Sequence, residues 1–292
     1  MSTVPDRQVA PVYRRRIGAI VVTAVSDGLL TVDRVMTRNL AAEDLAAALS
    51  AGFRDRLVFS INAFIVHSAG RVALIDTGSG NYLGSTVGHL RDNMRAAGVA
   101  PGEVDAVLLT HMHPDHSAGL ADRDTAERYF PNAELVVHAN EPKHWFDDAQ
   151  MARASDLYKV YHFQWAREQV RPYLDRMRTF TAGEIFPGVT AIPAAGHTPG
   201  HSALLIESGR ERLLIWGDTI HIPEVQFARP EVAMVPDGDP DGAVASRRRL
   251  LDMAARERLL VTGMHMHFPG FGHVTRESGA YRFHPEAWQQ TL

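Results

Sequence analysis

The 292-residue chain contains no cysteine, so disulfides and thiolate metal ligands are both excluded. No segment approaches the roughly 18–20 consecutive apolar residues of a membrane-spanning helix, so no membrane partner is expected. Met1 to Arg16 carries basic residues but no apolar stretch, so it does not read as a secretory signal, and a cytoplasmic location is the expectation. An excess of positive charge is missing too. Thirty Lys and Arg against 34 Asp and Glu give a net charge of −4, which argues against a broad phosphate-binding surface and a nucleic-acid partner. Low-complexity segments and short-period repeats are absent. What remains is ordinary for a globular protein, 45% hydrophobic and 22% charged, enough for an ample core. The basic run Arg247-Arg248-Arg249 falls in a helical pattern and reads as a solvated helix face.

Ile17 to Val25 reads as a strand closed by the turn Ser26-Asp27-Gly28. Phe59 to His67 and Arg71 to Ile75 read as a hairpin, followed by the glycine-rich turn Asp76-Thr77-Gly78-Ser79-Gly80. Gly88 to Ala97 has helical periodicity and Val104 to Leu109 reads as a strand. The second half repeats this style, with strands at Val189–Ala194, Ser202–Glu207 and Leu213–Trp216, a helix over Asp241–Arg256 and a final strand at Leu259–Thr262. Between the halves, Pro142 to Arg178 is rich in helix formers and aromatics and reads as two helices outside the sheets. The expectation is an N-terminal tail over 1–16 and a single α/β domain over 17–292. Its architecture would be a four-layer αβ/βα sandwich with a helical insertion at about 142–178.

The densest chemistry lies in His111-Met112-His113-Pro114-Asp115-His116, directly after the apolar strand. Alternate side chains of an extended backbone share a face, so His111 and His113 can converge on one metal ion. Pro114 breaks the extension, and the adjacent Asp115 and His116 point differently and can reach a second ion. Three later residues fit the same centre: His197 in a tight turn between strands, Asp218 past Leu213–Trp216, and His265 past Leu259–Thr262. Each lies beyond a strand, where α/β sheets place their ligands.

These motifs, with Asp76-Thr77-Gly78, Gly196-His197-Thr198-Pro199-Gly200-His201 and Gly217-Asp218-Thr219, resemble those of the metallo-β-lactamase superfamily in order and extent. The resemblance implies that His111, His113 and His197 hold one metal. Asp115, His116 and His265 would hold the other, with Asp218 bridging. It implies two divalent ions, zinc first, with manganese, cobalt or iron as alternatives. A closer resemblance is to the branch of methyl parathion hydrolases and N-acyl-homoserine lactonases, on Asn62-Ala63-Phe64, Asp76–Gly80, Gln226-Phe227 with Pro230, and His265-Met266-His267-Phe268-Pro269-Gly270 through Arg282. His267 rivals His265 for the last ligand position; the spacing to Phe268-Pro269-Gly270 favours His265.

The implied activity is hydrolysis of small, neutral, apolar esters, with lactones and organophosphate triesters both in view. A metal-held hydroxide would attack, and Asp218 or Asp115 would carry a proton to the leaving group. His221 stands where superfamily lactonases have a tyrosine, and either binds the substrate carbonyl or supports a ligand. Asp76 reads as a structural turn carboxylate, and His144 and His162 as surface or packing residues. The aromatics Trp145, Phe146, Tyr158, Tyr161, Phe163 and Trp165 read as packing or as a subunit interface, with a pocket lining as the alternative. A homodimer is expected from the resemblance and this aromatic segment. The competing activities are β-lactam hydrolysis and a mononuclear iron persulfide dioxygenase using His111, His197 and Asp218.

Overall fold

A computed structural model describes Val4, residues 8–32 and residues 36–292. Two seven-stranded sheets pack face to face. The first contains β1 (Val12–Ile17), β2 (Ile20–Thr31), β3 (Val58–Ser68), β4 (Arg71–Ile75), β5 (Ala106–Leu108), β6 (Glu134–His138) and β7 (Met177–Phe180), in that spatial order. The second contains β8 (Gly183–Phe186), β9 (Val189–Pro193), β10 (Ser202–Ser208), β11 (Glu211–Ile215), β12 (Leu260–Thr262), β13 (Gly272–Glu277) and β14 (Ala280–Pro285), in the order β14-β13-β12-β11-β10-β9-β8. Both sheets begin as antiparallel meanders and turn parallel where a helical crossover intervenes, at β4-β5-β6-β7 and at β11-β12.

Residue alternation sets the layers. In β3, Phe64 and Val66 enter the core between the sheets, where they meet Leu204, Ile206, Leu213 and Ile215. Their neighbours Ala63 and Ile65 face outward, under Leu90 and Met94 of the helix Leu90–Ala96. Burial on both faces explains why the central strands read as nearly continuous apolar runs. On the other side, Leu250, Leu251 and Ala254 of the helix Pro240–Glu257 cover Leu214 and Val261. Each fully buried side chain of this kind contributes about 1.5–3 kcal/mol. The order helix, sheet, sheet, helix is the expected sandwich.

Several boundaries differ from those read in the sequence. Val12–Ile17 is not tail but an edge strand, paired with β2 from Val12↔Val25 to Ile17↔Ile20. Its three arginines conceal it, because an edge strand can present charge to solvent. Ser26-Asp27-Gly28 does not end a strand; it is an irregularity within β2 that turns Asp27 inward. There the Asp27 carboxylate accepts from the backbone N–H groups of Ser79, Gly88 and Leu90 at 2.8–3.0 Å. The strand at Leu260–Thr262 is followed by the hairpin β13–β14, whose outward residues are polar and leave no apolar run. The segment from 142 to 178 is a chain of short helices linking β6 to β7 within the first sheet, rather than two helices between the halves. Asp147 and Ser155 cap two of these, each side chain accepting from the first turn. Among the described residues, no helix is long and apolar enough to cross a membrane.

Candidate metal centre

The candidate ligands gather at one edge of the sandwich because each follows the C-terminal end of a strand, β5, β9, β11 or β12. After β5, His113 is extended and Pro114 opens the one-turn helix Pro114–Ser117, so His111 and His113 face one way while Asp115 and His116 ride on the turn. His197 lies in the β9–β10 turn. Asp218 follows β11 through Gly217, whose φ is +56°. A Cβ on Gly217 would sit 2.5 Å from His201 Nε2, so only glycine permits this approach.

His111, His113, His197 and Asp218 form one group whose donor atoms all lie within 4.8 Å of one another, and Asp115, His116 and His265 form a second. Asp218 stands between them. Its Oδ1 is 3.1 Å from His116 Nε2 and 3.2 Å from His265 Nε2. Its Oδ2 is 3.2 Å from His197 Nε2 and 3.6 Å from His111 Nε2. Asp218 and the clustered histidines are at most 3% exposed. The Nε2 atoms of His111 and His116 and Oδ1 of Asp218 are buried with no hydrogen-bond partner among the described residues, and His113 turns its Nδ1 into the cluster, 2.9 Å from His197 Nε2. An unsatisfied buried polar atom costs roughly 1–3 kcal/mol. Inward-facing imidazole and carboxylate donors of this kind suit divalent cations, so the residues present fit a metal.

His267 does not compete. Its Nε2 meets Glu224 Oε1 at 2.7 Å, whereas His265 belongs to the cluster and its Nδ1 donates to Ser60 O at 2.9 Å.

Buried groups behind the cluster hold several of these side chains. Asp76, in a left-handed backbone conformation with φ +57°, accepts from Thr110 N, Thr110 Oγ1 and His116 Nδ1 at 2.7–2.8 Å. Asp237 accepts from His197 Nδ1 at 2.7 Å. His201 donates from Nδ1 to Ala194 O and accepts the Asp218 backbone N–H at Nε2, both at 2.9 Å. Glu141 was not anticipated. Wholly buried, its Oε1 accepts from Thr198 Oγ1 (2.5 Å) and Gly200 N (2.7 Å), and its Oε2 from Met112 N (2.9 Å) and Trp145 Nε1 (2.7 Å). It thereby ties the His111–His116 segment to the turn of His197. A lone Glu in Asn140-Glu141-Pro142 carries no motif that would have revealed it. Arg247 is also not the solvated residue expected; it is buried and donates to the carbonyls of Thr219, Pro230 and Val232.

The electrostatics follow from this crowding. Burial disfavours charge on His197, but the hydrogen-bonded carboxylates of Asp218 and Asp237 outweigh it and lift its pKa to about 9. His116 and His265 are raised in the same way, against burial, by Asp218 and Asp115. Burial and neighbouring imidazoles push His111 and His113 well down. Asp218 lies well below the usual carboxylate range because its histidines overcome its desolvation. A field that draws protons onto buried histidines also draws cations.

A cavity of about 200 Å³ opens over the cluster. Leu30, Val32, Met36, Phe59 and Leu83 form its apolar wall, and Tyr161 and His162 come from the helical segment. Trp145 and Phe163 of that segment are buried packing residues; Tyr161 is the aromatic that lines the pocket.

Residues 56–265 match the metallo-beta-lactamase superfamily, and the chain belongs to that superfamily. Among curated proteins it is 30% identical over 164 residues to the atrochrysone carboxyl ACP thioesterase of Passalora fulva, covering 54% of this chain and 38% of that protein. It is 22% identical over 193 residues to an N-acyl homoserine lactonase of Bacillus thuringiensis, covering 66% and 65%. The matches thus span between about two-fifths and two-thirds of those relatives. Among solved structures, a hydrolase called AbOPH in the beta lactamase superfamily superposes with a TM-score of 0.91 at 31% identity, covering 97% of this chain and 100% of that one. AidC, a dizinc quorum-quenching lactonase, superposes with a TM-score of 0.88 at 22% identity, covering 96% and 99%; this second likeness is one of fold.

Proposed function

We propose that this protein is a dinuclear metal-dependent hydrolase that opens ester-type bonds of small, neutral, apolar substrates, lactones foremost. The observation that carries the reading is Asp218, whose two oxygens face two separate ligand groups beneath an apolar-walled cavity. His111, His113 and His197 would hold one ion, Asp115, His116 and His265 the other, and Asp218 both. Two bound divalent ions, zinc by the donor set, would bring a bound water's pKa toward neutrality and polarise the substrate's carbonyl or phosphoryl oxygen.

The chain's own groups do the rest. Leu30, Val32, Phe59 and Leu83 hold the apolar part of the substrate and exclude water. Asp115 lines the cavity with its side chain 18% exposed, so it is the carboxylate placed to pass a proton to the leaving oxygen. His221 also lines the cavity, with Nε2 3.1 Å from Asp218 Oδ2 and, among the described residues, no hydrogen-bond partner at Nδ1. We assign it to the substrate's carbonyl oxygen. A His221→Phe variant should keep its metal and lose roughly 10²-fold in kcat/KM, the scale of a removed oxyanion donor; unchanged kcat/KM would remove that assignment.

The deciding experiment pairs metal content with kcat/KM on an acyl lactone, an aryl phosphotriester and a β-lactam. Two divalent ions per chain and preference for the lactone support the proposal. Preference for the β-lactam, or a single iron with oxygen consumption on a persulfide, overturns it.

A further inference from the structure

Gln226 is wholly buried and ends the one-turn helix Pro223–Gln226. Its side chain folds back over that turn. Oε1 accepts from the backbone N–H groups of His221 at 2.7 Å and Ile222 at 3.1 Å, and Nε2 donates to Val232 O at 3.0 Å. His221 and Ile222 lie outside every strand and helix, so no ladder or helix bond satisfies these amides, and a buried orphan amide is costly. One side chain supplies the acceptor for both, at the point where the chain leaves Asp218 and delivers His221 to the cavity.

The same loop is pinned from the outer layer. Arg247 donates to Thr219 O, Pro230 O and Val232 O at 2.7–2.9 Å, so Val232 O takes a hydrogen bond from Arg247 and from Gln226. Ile222, Val225 and Val232 pack in one apolar cluster with Phe59, part of the cavity wall. Residues 219–232 are thus closed into a braced loop with His221 at its inner edge.

His221 has no other brace of this kind. The Nδ1 atoms of His116, His197 and His265 are held from behind by Asp76, Asp237 and Ser60 O. Nδ1 of His221 has no hydrogen-bond partner among the described residues. Its ring rests against those of His197, His265 and Phe59 at centroid distances of 4.8–6.1 Å, contacts that are less directional than a hydrogen bond. The direction of this imidazole is therefore set by its main chain.

We propose that Gln226 is the positioning residue for His221: by holding the two amides it fixes the backbone from which the imidazole reaches the substrate's oxygen. It acts on turnover without touching substrate or metal. The inference rests on the hydrolase reading above, in which His221 meets that oxygen.

The test uses the zinc-loaded protein with Gln226→Met, which keeps the length and removes the polar end, and Gln226→Glu, which keeps the acceptor for both amides. Each is made in the wild-type and His221→Phe backgrounds, with kcat and KM measured on an acyl lactone and metal content by elemental analysis. Gln226→Met should lower kcat roughly 10–100-fold, the scale of a misplaced group, with two ions retained and KM little changed; Gln226→Glu should recover most of the loss. In the His221→Phe background the Met substitution should lower kcat by less than about threefold, because residues that act through one another are not additive. Isotope-labelled histidine reads the ring itself by NMR: His221 should give one set of signals in the wild type and a doubled or broadened set in Gln226→Met, while the candidate ligands keep theirs. The same loss of kcat in both backgrounds, for either variant, overturns the proposal, as do loss of metal in Gln226→Met and unchanged His221 signals. A chain that shows the expected NMR pattern yet hydrolyses no lactone upholds Gln226 and defeats the hydrolase reading instead.

Discussion

Glu141 offers the most exacting test of how the centre is held. Four donors converge on its two oxygens, two on each, and they come from both ligand-bearing loops and from Trp145. Substituting Gln leaves the shape and one oxygen but turns an NH2 group toward two donors. Two charge-assisted hydrogen bonds are lost, each worth about 1.5–3 kcal/mol, so Glu141→Gln should destabilise the chain by about 3–6 kcal/mol. For a chain of this size that is a fall in Tm of roughly 10 °C. Thr198→Val, which removes a single charge-assisted donor, should cost half as much, roughly 1.5–3 kcal/mol. Melting both variants in a chelator isolates the effect on the fold. Chelator competition then reads the site: Met112 N lies between His111 and His113, and Gly200 N follows His197 closely, so Glu141→Gln should also weaken one ion about 10–100-fold. A variant within about 1 kcal/mol of wild type with unchanged metal affinity would refute this account, because it would mean that the buried carboxylate anchors neither loop.

Asp218→Ala should abolish retention of both ions and lower kcat/KM at least ~10³-fold, whereas His113→Ala should release one ion first; elemental analysis after dialysis distinguishes the two, and equal metal retention in both would contradict a shared carboxylate. Metal uptake should release protons. At pH 7.5 the metal-free chain carries charge on His197, with its pKa of about 9, and the neighbouring carboxylates favour the charged form of His116 and His265 as well; any proton so held must leave before the ring can ligate. Calorimetry of zinc binding in buffers of differing ionisation enthalpy should therefore show about one or more protons released per chain, and none would refute the electrostatic description. For the metal-free protein the sign follows from a folded pKa above the ordinary 6.5: the stabilisation from charged His197 is complete below about pH 6.5 and is lost as pH rises through about 9. Denaturant midpoints measured in chelator should fall across that window, and a rise would refute it.

The layered architecture was legible because periodicity survives burial: β3, β4, β5, β10, β11 and β12 are apolar enough to be seen without a partner. The candidate ligands were legible for a related reason, since each follows such a strand and four share one short motif. The hidden residues have nothing local to declare them. Glu141 meets Thr198 across 57 positions and His197 meets Asp237 across 40, so a sequence shows only isolated acids. Arg247 sits in a run of three arginines on an amphipathic helix, and only the carbonyls arriving from the segment 219–232 turn it inward. β1 and β14 were obscured for the opposite reason: edge strands need apolar residues on one face alone, and theirs are diluted by arginine and histidine. The division has a physical cause. Groups that face a metal must be dense and similar, because one cation draws them together, whereas groups that orient those ligands need only reach a single hydrogen bond each and can come from anywhere the fold brings close. Reading the supporting shell therefore requires the fold, and the loss of stability and metal affinity expected at Glu141 falls on a residue that no spacing rule selects.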